Sequence, residues 1–272
     1  MGHSENNKKS SNIKALIRLI ETLRGENGCP WDREQTPQSM AVYLVEEIYE
    51  LVDAIESGNV GAICEELGDV LFQALFIARL YEEMGHFNVE MVAEKNRKKM
   101  IQRHPHVFGN EKVDSPDQVR QRWREIKNKE NRDHPDKSFL DSVPRKLPAL
   151  MRAYRISDRA AGQGFDWDDI SGVILKVEEE WSEFKFELGE NRDPEKKKER
   201  LALEFGDILF TLVNVARFSK IHPETALSSA KRKFEKRFRY MEKILFENGE
   251  SLNSVSRDAL ERLWELSKKE IG

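Results

Sequence analysis

The 272-residue sequence predicts an all-α protein made of two tandem helical-bundle modules. Three observations carry this. Apolar residues recur at helical spacing with no sustained strand-like alternation. Gly and Pro are few beside a high fraction of charged residues, which suits long amphipathic helices. A set of landmarks occurs twice in the same order, the mark of an internal repeat.

In order along the chain, the polar stretch from Met1 to Asn12 lacks a signal-peptide apolar core and reads as a disordered lead-in. From Ile13, the residues Leu16, Ile17, Leu19, Ile20 and Leu23 mark a short amphipathic helix stopped at Gly25. Pro37 opens the next, with Met40, Leu44, Ile48, Leu51, Val52 and Ile55 on one face and Ser57-Gly58-Asn59 as its end. A third runs from about Val60 to Gly85, and a fourth from about Val89 to Arg103, ending where Pro105 pushes His104 out of helical geometry. Between about Lys127 and Pro148 the composition turns to Asn, Asp, Lys and Pro. This sets the expected division: an N-terminal module over 1–128, a linker over 129–147 and a C-terminal module over 148–272.

Charged residues reach 35% at a formal net charge of −4, so both signs are dense and nearly balanced, which suits long helices with solvated outer faces. That balance gives no footing for nucleic acid as a partner, and no apolar run approaches the roughly 20 residues that span a bilayer. Cys29 and Cys64 are too few for a disulfide framework or a zinc site, and a reducing cytoplasm is the natural setting.

The repeat pairs Glu46-Glu47-Ile48-Tyr49-Glu50 with Glu179-Glu180-Trp181-Ser182-Glu183, and Glu66-Leu67-Gly68-Asp69 with Glu204-Phe205-Gly206-Asp207. Trp31-Asp32 matches Trp167-Asp168, Lys99 and Arg103 match Lys233 and Arg237, and Trp123 matches Trp264. Each copy thus carries E-E-x-x-E on one helix and E-x-x-D on the next. Residues three apart share a helix face, so Glu47 with Glu50, Glu66 with Asp69, Glu180 with Glu183 and Glu204 with Asp207 project in pairs. If the two helices of a copy pack antiparallel, four carboxylates converge. Like charges so placed resist ionisation unless a hard cation intervenes, and an all-oxygen site suits Mg²⁺, or Mn²⁺ in its stead, better than zinc. Mg²⁺ commonly binds through a few carboxylates plus substrate phosphates, which points to a phosphate-bearing substrate. Asp69 and Asp207 open the most apolar stretches of their halves, whereas a merely solvated acidic face would lie opposite the apolar stripe.

With Gly28-Cys29-Pro30-Trp31-Asp32, Arg103-His104-Pro105-His106-Val107-Phe108 and Lys233-Phe234-Glu235-Lys236-Arg237-Phe238 added to those motifs, the sequence resembles the MazG family of nucleoside triphosphate pyrophosphohydrolases from Leu16 to about Trp264. The resemblance implies hydrolysis of NTPs and dNTPs between the α- and β-phosphates, giving monophosphate and pyrophosphate. It implies Glu180, Glu183, Glu204 and Asp207 as metal ligands, catalysis in the C-terminal half and a homodimer completing four-helix-bundle-like cores. Glu179 and Glu180 are both candidate general bases. Lys233 and Arg237, one turn apart, are candidate phosphate contacts, with a solvated basic face as the plainer alternative. Trp264 is placed to stack on the base or cover the site, or simply to pack.

The two halves differ where cations matter. Lys176 stands where the first copy has Tyr43, and Arg200 where it has Ala62, so the second half is the better suited to a tetra-anionic triphosphate. Glu47, Glu50, Glu66 and Asp69 remain as a possible second metal site with a dimerisation or regulatory role for their module. Trp31 and Trp167 read as anchors entering the bundles, and His104 and His106 as a helix-ending turn. Two rival functions stay open: a helical regulatory scaffold without catalysis, and a related all-α enzyme specialised for dUTP or another single nucleotide.

Overall fold

A computed structural model describes residues 2–271 except 117, 120, 121, 124, 127–137 and 192, with side chains from residue 12 onward. Among the described residues there are eleven α-helices, one 3-10 turn and no strand, so the fold is all-α, as the periodicity predicts. The chain divides into two compact units, Met1–Lys127 and Asn128–Gly272. The expected linker lies outside the described residues as far as 137. Its remaining residues belong to the second unit, where the turn Phe139–Ser142 packs on the next helix. None of the described helices is long and apolar enough to cross a membrane.

In the first unit, α1 spans Gly2–Arg24, α2 Pro30–Glu34, α3 Pro37–Ser57, α4 Val60–Glu83, α5 Val89–Gln102 and α6 Pro105–Phe108. Helix α1 starts well before Ile13, so the lead-in reading is corrected. No proline interrupts residues 2–12, and an existing helix extends at one hydrogen bond per residue once nucleated. Thr36 caps α3 through a reciprocal box with Ser39, Pro37 fills its first turn, and Gly58 ends it at φ +73°. Asn59 then caps α4, accepting from the N–H groups of Gly61 and Ala62, so α3 and α4 form a tight antiparallel hairpin. Ile20, Met40, Leu75, Phe76 and Leu80 make the core where α1 crosses that hairpin. Arg24 closes its rim, donating to both oxygens of Glu83 and, at 2.5 Å, to the carbonyl of Asp32.

The second unit repeats the hairpin. Helix α7 spans Ala149–Ala161, α8 Ile170–Gly189, α9 Pro194–Phe218, α10 Pro223–Glu247 and α11 Arg257–Ile271. Asp169 caps α8 by accepting from the N–H of Gly172, and Asp193 caps α9 from Glu195. Gly172 also makes room for an aromatic: a Cβ there would lie 3.2 Å from Cδ1 of Trp167. Lys197 donates to the carbonyls of Leu188 and Glu190, tying the start of α9 to the end of α8. Helix α8 pairs with α9, α7 packs on α9 and α10, and α10 pairs with α11. Val173, Ile208, Val213, Met241 and Leu245 are buried among them.

Both hairpins leave apolar side chains in the open: Ile48, Val52, Leu67 and Leu71 in the first, Trp181, Phe205, Leu209 and Leu212 in the second. Trp31 is 52% exposed and leans on Tyr43 at 5.6 Å, so it does not enter the bundle; the buried member of its pair is Asp32. Trp167 is half-buried against the start of α8, close to its expected place.

Candidate metal centre

Packing α8 antiparallel to α9 brings Glu180 and Glu183 opposite Glu204. One carboxylate oxygen from each falls within 4.8 Å of the others, a grouping that could hold a metal ion. In the first unit Glu47, Glu66 and Asp69 form the matching group. Each hairpin thus gathers three of the four acids, and a different one stands outside: Asp207 in the second, Glu50 in the first. Asp207 is exposed one turn beyond Glu204, and its side chain is a methylene shorter.

The groups differ in burial and in counter-charge. Glu180 is 6% exposed, the most sheltered of the six. Lys176, one turn earlier on α8, lies 2.9 Å from Glu180 and 2.8 Å from Glu179, and those two hydrogen bonds hold its ammonium above the ordinary lysine range. Arg200 on α9 reaches Glu187 at 3.6 Å and Glu204 at 4.0 Å. In the first unit the corresponding places hold Tyr43 and Ala62. The carboxyl of Glu183 is pushed up, first by shielding from water and then by facing Glu180, with Lys176 opposing. Glu66 is raised likewise, by shielding and then by Glu50 and Asp69. Close acids that resist ionisation are what a hard divalent cation relieves, and donors that are all carboxylate oxygen suit Mg²⁺ or Mn²⁺.

Lys176 and Arg200 therefore sit in the site as partners of its carboxylates. Arg237 and Trp264 meet on the α10–α11 pair, and Lys233 lies on α10 one turn before Arg237. The Arg237 guanidinium lies 5.8 Å over the ring of Trp264, and Phe234 tilts against the same ring at 5.3 Å. The first unit repeats the motif, with Arg103 5.2 Å over Trp123. His104 accepts the bland reading: its Nδ1 lies 2.6 Å from the carbonyl of Met100, and its backbone caps α6. The motifs did not reveal Glu187, 4% exposed and seven residues after Glu180. The signal was present in the sequence as an acid at helical spacing in one copy and Ala54 in the other.

Fold and site together define an all-helical protein whose repeated hairpin presents clustered carboxylates. Residues 35–108 match the MazG nucleotide pyrophosphohydrolase domain. The chain is 42% identical over 256 residues to the nucleoside triphosphate pyrophosphohydrolase/pyrophosphatase MazG of Thermotoga maritima, covering 94% of this chain and 95% of that one. It is 39% identical to the nucleoside triphosphate pyrophosphohydrolase of Escherichia coli K12, covering 95% and 97%. It is also 45% identical to YabN of Bacillus subtilis, over 92% of this chain and 50% of that longer protein. The chain belongs to the MazG nucleotide pyrophosphohydrolase family.

Proposed function

We propose that the α8–α9 hairpin hydrolyses nucleoside and deoxynucleoside triphosphates to monophosphate and pyrophosphate with Mg²⁺. The observation that carries this is the convergence of Glu180, Glu183 and Glu204 beside two cations that the first unit lacks. Glu180, Glu183 and Glu204 would hold the metal, with Asp207 one turn away. Bound there, Mg²⁺ supplies charge neutralisation for the phosphates and a lowered pKa for water. Glu179 and Glu180 are both candidates for the general base: Glu179 is exposed and paired with Lys176, and Glu180 is among the grouped oxygens. Water oxygen bonds to the α-phosphorus, the α–β bridging bond breaks, the water proton passes to the carboxylate, and pyrophosphate departs. Lys176 can turn from its carboxylates toward phosphate oxygens, and the exposed side of Arg200 can meet them in two-pronged fashion. Lys233, Arg237 and Trp264 are candidates for the distal phosphates and the base.

The open apolar rows on both hairpins suit a second copy of the chain, and we assign them to a homodimer. The free thiols Cys29 and Cys64 fit a cytoplasmic enzyme in nucleotide-pool housekeeping or stress regulation. The Glu47–Glu66–Asp69 group gives the first unit a candidate metal site without the flanking cations, consistent with a dimerisation or regulatory module.

The test is to incubate the chain with each NTP and dNTP plus Mg²⁺ and to measure pyrophosphate against orthophosphate. Pyrophosphate release supports the reading. Orthophosphate alone, or no release, sinks it.

A further inference from the structure

The α8–α9 hairpin carries a buried acid for which the proposed reaction has no direct use. Glu187 lies one turn beyond Glu183 and two beyond Glu180, so the three follow one edge of α8. Glutamate is seldom buried as deeply as its 4% exposure without a partner. A partner is Arg200, whose Nε stands 3.6 Å from Oε1 of Glu187. The same guanidinium extends Nη2 to 4.0 Å from Oε1 of Glu204 and leaves 49% of its side chain exposed. Arg200 thus turns its inner side toward a buried carboxylate, as an ion pair longer than a hydrogen bond, with its outer side open next to the grouped oxygens.

Packing alone does not ask for this pair, because burying a charge is costly and an apolar residue of similar size commonly serves the fold as well. The first unit supplies the comparison. Its hairpin keeps the carboxylate group but has Ala54 and Ala62 in place of Glu187 and Arg200, and Ala54 is buried as Glu187 is. Both members are missing together, in the unit that also lacks the Lys176 counterpart.

We propose that Glu187 is a positioning residue for triphosphate cleavage, holding the Arg200 guanidinium beside Glu204 with its open side toward the substrate's phosphate oxygens; this rests on the reading of the α8–α9 site given above. A long arginine left free would lose rotamer entropy on each binding event, and the buried carboxylate meets that cost in advance.

The test compares wild type, Glu187→Gln, Arg200→Ala and the double variant as full chains. Pyrophosphate release from ATP with Mg²⁺ gives kcat and KM. Calorimetry gives the affinity for an α,β-methylene ATP analogue, and melting gives Tm. Glu187→Gln keeps the shape and removes the charge. Its kcat/KM is expected to fall on the order of 10-fold, mainly through KM, with analogue affinity falling in parallel. Tm does not fall, and adding Glu187→Gln to Arg200→Ala costs nothing further. The inference is overturned if kcat/KM and analogue affinity stay within about twofold of wild type. It is equally overturned if the loss persists in full on the Arg200→Ala background, or if it follows a lowered Tm and disappears on cooling. A wild type that binds the analogue but releases no pyrophosphate overturns the reaction instead, and the four affinities then decide the positioning role alone. A wild type that does not bind the analogue overturns both.

Discussion

Nζ of Lys176 stands 2.9 Å from Oε1 of Glu180, one helical turn away, and this contact balances the most sheltered carboxylate of the candidate centre. The first unit has Tyr43 in that place. Lys176→Met leaves Glu180 buried without its ammonium, at a cost of roughly 1–3 kcal/mol in metal-free protein. Chemical denaturation in EDTA measures that loss, and Mg²⁺ is expected to recover much of it. An unchanged midpoint in EDTA would mean that water already balances Glu180.

The second prediction concerns which half works. Glu183→Gln and Glu204→Gln are each expected to lower pyrophosphate release by more than about 100-fold, beyond the 10–100-fold typical of residues that only support a ligand. Glu47→Gln in the first unit is expected to change it little. Equal losses from both units would give them equal roles.

A third prediction follows from the raised pKa of Glu183. Between the ordinary value of 4.5 and the raised one the folded chain holds a proton there that the unfolded chain has released, so this group's contribution to stability is fully present below 4.5 and lost as pH rises through the raised value. Glu183→Gln has no such proton to lose. In EDTA the variant should therefore melt above wild type at neutral pH, and the gap should close as pH falls below 4.5. With Mg²⁺ at neutral pH the order reverses, because only wild type keeps the ligand.

The fourth prediction tests the apolar rows. Phe205 is exposed and tilts against Phe184, which stacks on Trp181. Phe205→Glu puts a charge at the end of that aromatic row. Light scattering should then report a monomer mass, against the dimer mass expected of wild type. A wild-type monomer would leave these rows without the partner assigned to them.

The fifth is a core test. Phe76 is fully buried between α1, α3 and α4, and Phe76→Ala should cost about 3–5 kcal/mol, read as an early melting transition of the first unit.

How far the sequence could be read depended on whether the signal was local. Thr36, Pro37, Gly58 and Asn59 act within four residues of themselves, so the limits of α3 and the start of α4 are legible before any packing is known. Helices α2 and α6, of five and four residues, are too short to show a period and were not foreseen as helices. The carboxylate motifs were visible because they repeat. Glu187 was not, because it occurs where the copies differ, and a comparison built on likeness passes over it. The pairing of Lys176 and Arg200 with the acids is also not legible there, since helical spacing shows that side chains are neighbours but not which neighbour each one takes.

The contact between Gly172 and Trp167 has a consequence two turns away. A helix advances by about 100° per residue, so whatever fixes the rotation of its first turn also fixes the azimuth of every later side chain. Gly172 lets the indole lie against the beginning of α8; a Cβ there would press on Cδ1 at 3.2 Å, and where the helix rather than the indole yields, its first turn rolls about its own axis. Glu180 and Glu183 would then swing off the line facing Glu204, with no acid having been altered.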